Sequence, residues 1–348
     1  MAYTTINKGS SYFNGATYLG SASAVTVSSL SFQPDLVWIK DRQNGNDHCL
    51  VDSVRGVGKY LGSNLTSAEV NSTSQSISSF TSTGFVTGTA NPANEAASNT
   101  LGFMSWNWLG SNTTASNTSG TITSTVSVNQ TSGFSVGTYT GNGTGGATIG
   151  HGLGSVPKWI IVKERSGTNQ WLVYHVSNGA TKYMILETTG AVGTASTLWN
   201  DTTPTTNLFT VGSSTSVNGS GLTYVFYAFS DIKGYSKFSS YTGNGSTDGT
   251  FVYTGFKPAW IMVKETGNVN SWRMLDNKRS PFNVANKVLL ANSATTEGSA
   301  DHETDFVSNG FKIRSSDTNM NRSGGTYIYM AFAENPFVTS GGIPVTAR

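Results

Sequence analysis

The side chains best suited to chemistry form a polar group near residue 50. His48 and Asp52 lie four positions apart and Arg55 follows them, and an imidazole near a carboxylate is a combination used in acid–base chemistry. A later stretch of the chain has Asp276 and Arg279 at the same mutual spacing. Catalysis would also need a nucleophile or a second base within reach, and the sequence suggests neither. Reuse of the carboxylate and the arginine therefore predicts two structural ion pairs and no catalytic residue.

Two tryptophans and one histidine are the candidates for contact with a surface ligand. Trp171 and Trp272 each follow a polar, turn-like segment. Aromatic rings beside loops commonly take part in recognition. His48 stands at the position that corresponds to these two tryptophans. We therefore expect Trp171, Trp272 and His48 to be exposed enough to contact a ligand such as a glycan.

No pattern in the chain predicts a metal ion or a cofactor. Residues 301–305 concentrate acidic and imidazole groups, but their spacing matches neither an EF-hand nor a zinc site. Residues 141–146 fit the pattern G-x-G-x-x-G, yet no helical pattern and no phosphate-binding lysine follow them. We expect a solvated loop at the first segment and a turn at the second.

Most of these residues are positioned by a strand-like segment that occurs three times. Each copy has a starting proline, a core of tryptophan and branched aliphatic residues, and a lysine six residues after the proline. The copies span residues 34–40, 157–163 and 258–264. Repeated apolar positions mark the core-facing side of an element, so Trp38, Trp159 and Trp260 are expected to be buried.

Other features recur around the copies. An Asn-Gly pair precedes the second and third copies, at residues 142–143 and 244–245, and Asn-Gly between apolar segments is a strong hairpin signal. Each copy is followed by an aromatic-rich segment, at residues 101–108, 222–229 and 326–333. These features predict an all-β fold of three tandem β-sandwich modules, jelly-roll-like in arrangement.

The repeats also set the expected module boundaries. Module 1, with an N-terminal docking segment, takes residues 1–110, and module 2 takes residues 133–232. Module 3, with a C-terminal tail, takes residues 233–348. Residues 111–132 are rich in Ser, Thr and Asn and are interpreted as a linker or an added edge strand. We refer to these ranges as repeat 1, repeat 2, repeat 3 and the connecting segment.

The composition argues against several classes of protein. Charged residues make up 11% of the chain, well below the roughly 25% of average soluble proteins. The net charge of +2 comes from scattered residues, so nucleic acid is not expected as a partner. One cysteine rules out a disulfide within the chain. No apolar run reaches the roughly 18–20 residues of a spanning helix, and no export signal is evident, so we expect synthesis in a cytosol without membrane insertion.

Several segments also resemble a known group of proteins. The start of the chain, the first copy of the repeat with the residues after it, and the beginning and end of repeat 3 carry the resemblance. They are residues 1–6, 32–40, 51–56, 234–238, 241–245 and 325–337. The chain resembles a repeat-containing family of tailed bacteriophages, especially aquatic ones, whose members are unassigned or called tail or tail-fibre proteins. The resemblance covers nearly the whole chain.

The resemblance implies a virion protein that is assembled in the host cytoplasm together with other virion proteins. The leading hypothesis is a non-enzymatic tail fibre or adhesin that attaches to the host surface, with a surface glycan as a partner. One alternative is a capsid decoration or head-fibre protein. Another is a glycan-cleaving tail enzyme, which would need two carboxylates roughly 5–10 Å apart. The 19 acidic residues show no recurring pair.

The expected oligomeric state is a homotrimer. Strand edges in a chain with so little charge need protection, and homo-oligomers commonly bury them in closed symmetry. The resemblance adds weight to three chains, because tail fibres of tailed phages are usually trimers. We expect repeat 3 to contribute more to the trimer than the N-terminal segment, which would dock to the particle.

Overall fold

The computed structural model describes residues 4–95, 100–299 and 303–336. Strands hold 41% of the residues and helices 5%, and every ladder between the named strands of these ranges is antiparallel. The expectation of a mostly β fold is confirmed. The short helices are a 3-10 turn at Gly9–Ser11, α1 (Ser196–Trp199), α2 (Thr215–Asn218) and α3 (Thr318–Asn321). No helix in the described ranges has the length and apolarity needed to cross a membrane.

The described residues of repeat 1 form nine strands. They are β1 (Phe13–Tyr18), β2 (Thr26–Val27), β3 (Leu36–Asp41), β4 (Cys49–Asp52), β5 (Lys59–Tyr60), β6 (Val70–Asn71), β7 (Ile77–Thr81), β8 (Gly84–Thr87) and β9 (Phe103–Trp108). The larger sheet has the order β1-β9-β3-β4 and a smaller one has the order β2-β8-β7, while β5 pairs with β6.

The connecting segment and repeat 2 share one sheet. Their strands are β10 (Ala115–Asn117), β11 (Ser124–Asn129), β12 (Phe134–Thr140), β13 (Ala147–Gly150), β14 (Trp159–Glu164), β15 (Trp171–His175), β16 (Lys182–Ile185), β17 (Gly193–Thr194), β18 (Leu208–Val211) and β19 (Thr223–Phe229). The large sheet has the order β10-β11-β12-β19-β14-β15-β16-β17, and β13 pairs with β18. Strands β10 and β11 of the connecting segment lie at one edge of this sheet.

Repeat 3 contributes the remaining strands. They are β20 (Ser236–Thr242), β21 (Phe251–Tyr253), β22 (Phe256–Glu265), β23 (Arg273–Asp276), β24 (Leu289–Leu290), β25 (Thr304–Val307), β26 (Gly310–Ile313) and β27 (Thr326–Pro336). Its larger sheet has the order β20-β27-β22-β23-β24, and its smaller sheet has the order β21-β26-β25.

The three larger sheets have the same core topology. In each, the repeated segment pairs with the aromatic closing strand on one side and with the next strand along the chain on the other, as in β9-β3-β4, β19-β14-β15 and β27-β22-β23. Trp159 and Trp260 occupy the same register position, opposite Phe229 and Phe332 respectively. Repeat 1 has Leu36 at that position.

The repeated strand is buried on both faces, as β3 illustrates. Leu36 and Trp38 belong to a cluster that includes residues from all three repeats. Val37 and Ile39 belong instead to a core within repeat 1, which also contains Phe85 from the smaller sheet. Because side chains alternate along a strand, one face packs inside repeat 1 and the other packs against the neighbouring repeats. This double burial explains why the segment is an unbroken apolar run.

Equivalent aromatic residues meet where the three repeats join. Trp108, Phe229 and Phe332 lie at matching positions of the closing strands. Their ring centroids are 6.2 Å, 5.7 Å and 5.9 Å apart, so they form a nearly equilateral triangle. All three are buried. The repeats are therefore grouped around a common centre with approximate threefold symmetry within one chain.

Candidate functional site

Both ion pairs suggested by the sequence are present. Arg55 Nε lies 2.6 Å from Asp52 Oδ2, and Arg279 Nε lies 2.6 Å from Asp276 Oδ2. In each pair the other carboxylate oxygen accepts a 2.8 Å hydrogen bond from the backbone N–H of the arginine. The same arginines each reach a second carboxylate, that of Glu69 or Glu297. Because all four side chains are fully buried or nearly so, these pairs hold turns and do not face solvent.

Each ion pair also contacts another repeat. The Tyr227 hydroxyl donates to Asp52 Oδ2 at 2.9 Å, which joins repeat 2 to repeat 1. Trp106 Nε1 donates to Asp276 Oδ2 at 3.1 Å, and the guanidinium of Arg279 lies 5.6 Å from the centroid of the Trp106 ring. Repeats 1 and 3 are joined in this way. The carboxylates are therefore committed to contacts between repeats.

The expectation that Trp171, Trp272 and His48 are exposed is wrong. All three have 0% relative exposure. Trp171 Nε1 donates to the carbonyl oxygen of Gly62 at 2.9 Å, and Trp272 Nε1 donates to that of Ile185 at 3.0 Å. The two rings are buried although polar turns precede them. A buried indole N–H needs an acceptor, and a backbone carbonyl oxygen of the preceding repeat supplies it in each case.

His48 makes the corresponding contact between repeats 1 and 3. Its Nε2 lies 2.9 Å from the carbonyl oxygen of Leu290, and its Nδ1 accepts a 2.9 Å hydrogen bond from Trp38 Nε1. These partners require the tautomer with the proton on Nε2. Burial, and secondly the charge of Lys40, lower the pKa of His48 to about 3. The ring is therefore neutral at physiological pH and serves as a fixed link.

Together these contacts run in a cycle around the molecule. Repeat 2 reaches repeat 1 through Trp171, repeat 3 reaches repeat 2 through Trp272, and repeat 1 reaches repeat 3 through His48. One signal in the sequence pointed to this arrangement. The tryptophans stand eight residues after Lys163 and Lys264, and His48 stands eight after Lys40. A position kept in all repeats is more typical of a shared structural contact than of a ligand site in each copy.

The repeated lysines were only markers in the sequence, and in the structure two of them, Lys40 and Lys163, contact another repeat. The Nζ atoms of Lys40, Lys163 and Lys264 each donate to the carbonyl oxygen of the following residue at 2.7 Å. Lys40 also reaches Ala294 O of repeat 3 at 3.0 Å, and Lys163 reaches Thr66 O of repeat 1 at 3.0 Å. Burial lowers the pKa of all three lysines to about 8.

The other segments singled out in the sequence carry no chemistry in the described residues. Residues 141–146 form the irregular connection between β12 and β13. Asp301 and His302 lie outside the described residues, and Thr304 and Asp305 belong to β25, so that end of the expected loop is a strand. Among the residues that the structure describes, no group of three or more His, Cys, Asp or Glu side chains could hold a metal ion.

A polar pocket opens on repeat 1. Its volume is about 290 Å³, and loops after β3, β5, β6 and β8 form its walls. The lining includes Asn46, Asp47, Tyr60, Leu65, Gln75 and Asn91. No sequence pattern marks this site, because its side chains come from strands and from several separate loops and share no spacing.

Comparison with known proteins gives one family. A family model described as "Domain of unknown function (DUF7483)" matches residues 8–336. No curated protein and no solved structure matches the chain significantly. The match spans all three repeats, and its description names no activity.

Proposed function

We propose that this chain, which belongs to the DUF7483 family, is a non-enzymatic structural protein of a bacteriophage particle and attaches to the host surface as part of a tail fibre. The repeated segments resemble those of phage tail proteins, and this resemblance supports the virion assignment. Repeat 1 carries the docking segment in this proposal, and other virion proteins are its partners.

The main support for a non-enzymatic role is that the carboxylates and the imidazole suited to acid–base chemistry are buried. Asp52, Asp276 and His48 are at most 1% exposed, and each is bonded to another repeat. A substrate cannot reach a side chain that is enclosed between repeats. This arrangement favours a scaffold over a glycan-cleaving enzyme.

The finer architecture belongs to the same proposal. Each repeat is a β-sandwich, jelly-roll-like in arrangement, with the boundaries given by the repeats. The larger and smaller sheets of repeat 1 contribute to one core, where Val37 and Ile39 of β3 meet Ile77 of β7 and Phe85 of β8. A shared core between two sheets is what a sandwich requires. Such modules present their loops at the surface, where attachment takes place.

Antibody labelling of particles tests the proposed place in the virion. Particles purified from a lysate of the host that produces the chain are labelled with an antibody against it and viewed by electron microscopy. We expect label on the tail. Label on the head would replace the proposal with a capsid decoration protein, and unlabelled particles would overturn the virion assignment.

Incubation with host surface polysaccharide tests the absence of catalysis. We expect the purified protein to be retained on the polysaccharide without release of reducing ends. Release of reducing ends that grows with time would show a glycan-cleaving enzyme and would contradict the non-enzymatic role.

A further inference from the structure

The pocket of repeat 1 holds polar groups that the protein itself does not use. The Tyr60 hydroxyl and the side-chain amide of Gln75 make no hydrogen bond within the described part of the chain. Asp47 Oδ1 accepts a 2.6 Å hydrogen bond from Asn64 Nδ2, and no hydrogen bond to Asp47 Oδ2 is seen among the described residues. A pocket with several such groups offers a ligand both donors and acceptors.

Hydrogen bonds hold the floor of this pocket in place. Asn46 Nδ2 donates to Asp41 Oδ2 at 2.7 Å and to Asn91 Oδ1 at 3.1 Å, which ties the loop after β3 to the loop after β8. Asn64 in turn accepts a 3.0 Å hydrogen bond from the backbone N–H of His48. Groups that are already fixed bind a ligand at a lower cost in entropy.

The neighbouring repeat fixes the opposite wall. Trp171 Nε1 donates to Leu65 O at 3.0 Å, and Lys163 Nζ donates to Thr66 O at 3.0 Å. Both donors belong to repeat 2, and both acceptors lie in the loop between β5 and β6. The tryptophan that the sequence suggested as a ligand contact therefore supports the pocket from behind.

The residues that line the pocket indicate the charge that a ligand can carry. Among the described residues, no lysine, arginine or histidine lines the pocket, and Asp47 contributes a carboxylate. A phosphate or another anion would meet this negative charge and would find no cation in the lining to pair with. A purely apolar ligand would leave the amides and the hydroxyl without partners, which is costly. A neutral ligand with many hydroxyl groups satisfies both conditions.

We propose that this pocket binds a neutral pyranose sugar, as one or two rings of a surface glycan, an inference that rests on the attachment role proposed above. Asp47 accepts from neighbouring sugar hydroxyls, Gln75 donates and accepts, and the Tyr60 hydroxyl donates. The Tyr60 ring and Leu65 supply apolar contact for the C–H face of the sugar. The volume of about 290 Å³ lies just below the roughly 300–1,000 Å³ typical of pockets for drug-sized molecules, which suits a ligand of one or two rings.

Saturation-transfer NMR with the full chain tests the proposal. The probes are the methyl glycosides of glucose, galactose, mannose and N-acetylglucosamine, with methyl glucuronide as a charged probe. We expect saturation transfer to at least one neutral glycoside and weaker or no transfer to the glucuronide. Tyr60→Phe and Gln75→Ala should each weaken the binding about tenfold, as expected for the loss of one hydrogen bond to a ligand.

Tyr183→Phe is the matched control, because it removes the same hydroxyl from β16 of repeat 2, outside the pocket. Thermal unfolding confirms that each variant is folded. Failure of every neutral glycoside to bind would overturn the proposal. So would binding that the two pocket variants leave unchanged, or tighter binding of the glucuronide.

These outcomes separate the pocket from the proposed function. Labelled tails without glycoside binding would reject the sugar site and leave the virion role standing. Glycoside binding that the pocket variants weaken, found together with unlabelled particles, would support the sugar site and reject the virion role.

Discussion

At the residue scale, tryptophan side chains connect neighbouring repeats across gaps that a smaller side chain would not fill. Trp260 is fully buried and lies 5.8 Å, centroid to centroid, from Trp108 of repeat 1. Its ring therefore contributes both to its own strand and to the contact with another repeat. Truncation at this position should affect the molecule more than truncation of a residue with a single packing face.

The first prediction concerns this residue. Trp260→Ala should lower the free energy of unfolding by roughly 3–5 kcal/mol, because it empties a large site in a packed interior. Urea unfolding measures the change. Leu19→Ala is the control, because Leu19 is 62% exposed and should change stability by less than about 0.5 kcal/mol. A loss below about 1 kcal/mol at Trp260 would contradict its role as a core residue.

A second residue-scale prediction concerns Glu187. Its Oε2 accepts a 3.0 Å hydrogen bond from the backbone N–H of Trp171, and its Oε1 is buried without a partner among the described residues. Burial raises the pKa of Glu187 to about 7 from its usual 4.5. The folded chain therefore binds a proton more tightly than the unfolded chain, so this group lowers stability as the pH rises from 4.5 to about 7.

Glu187→Gln removes that dependence. Near pH 8 we expect the free energy of unfolding of the variant to exceed that of the unchanged protein by about 1–3 kcal/mol. Near pH 4.5 the gain should be much smaller. Thermal unfolding over this pH range gives the difference, and the comparison cancels the titration of the buried histidines. A difference that does not vary with pH would show that folding does not raise the pKa of Glu187.

At the element scale, the repeated strand and its closing strand could be predicted from the sequence, because their apolar pattern and their order recur in every copy. The docking of one repeat on the next could not. Trp171 and Trp272 are held by backbone carbonyl oxygens, which every residue carries, so no residue type marks the acceptor. The pocket at Tyr60 could not be predicted either, because its lining residues are far apart in the sequence.

The smaller sheets give an element-scale prediction. Gly84 begins β8 with φ at +154°, and a Cβ there would overlap the carbonyl oxygen of Val27 on the neighbouring strand β2. Gly84→Ala should cost roughly 2–5 kcal/mol through backbone strain and steric conflict. Gly267→Ala is the control, because a Cβ at Gly267 meets nothing within 4 Å. Equal stability of the two variants in urea would contradict this account.

For the whole molecule, exposed apolar side chains are concentrated on one repeat. Phe251, Tyr253, Val269, Phe282 and Val284 of repeat 3 are between 41% and 83% exposed. Leu19, Val57 and Leu101 are the other large exposed apolar residues of the described ranges, and all belong to repeat 1. Phe251 and Tyr253 lie on the same exposed face of β21, and adjoining exposed apolar side chains are typical of an interface. This distribution supports the expectation that repeat 3 contributes most to self-association.

We therefore predict a homotrimer formed through repeat 3. Light scattering of the purified protein should give about three times the chain mass of 36.8 kDa. Replacing Phe251 and Tyr253 by serine should shift the mass towards a single chain, whereas serine at Leu19 should not. A mass of 36.8 kDa for the unchanged protein at high concentration would contradict the trimer.

The cyclic contact between repeats has a consequence for synthesis of the chain. The aromatic centre needs Phe332, which is translated long after Trp108 and Phe229. At typical rates of roughly 5–20 residues per second, the roughly 100 residues of repeat 3 take about 5–20 s to be made. During that interval the nascent chain exposes two of the three aromatic faces of its unfinished centre. Such surfaces favour premature association between chains, so a chaperone that shields the nascent chain would raise the yield of correctly closed molecules.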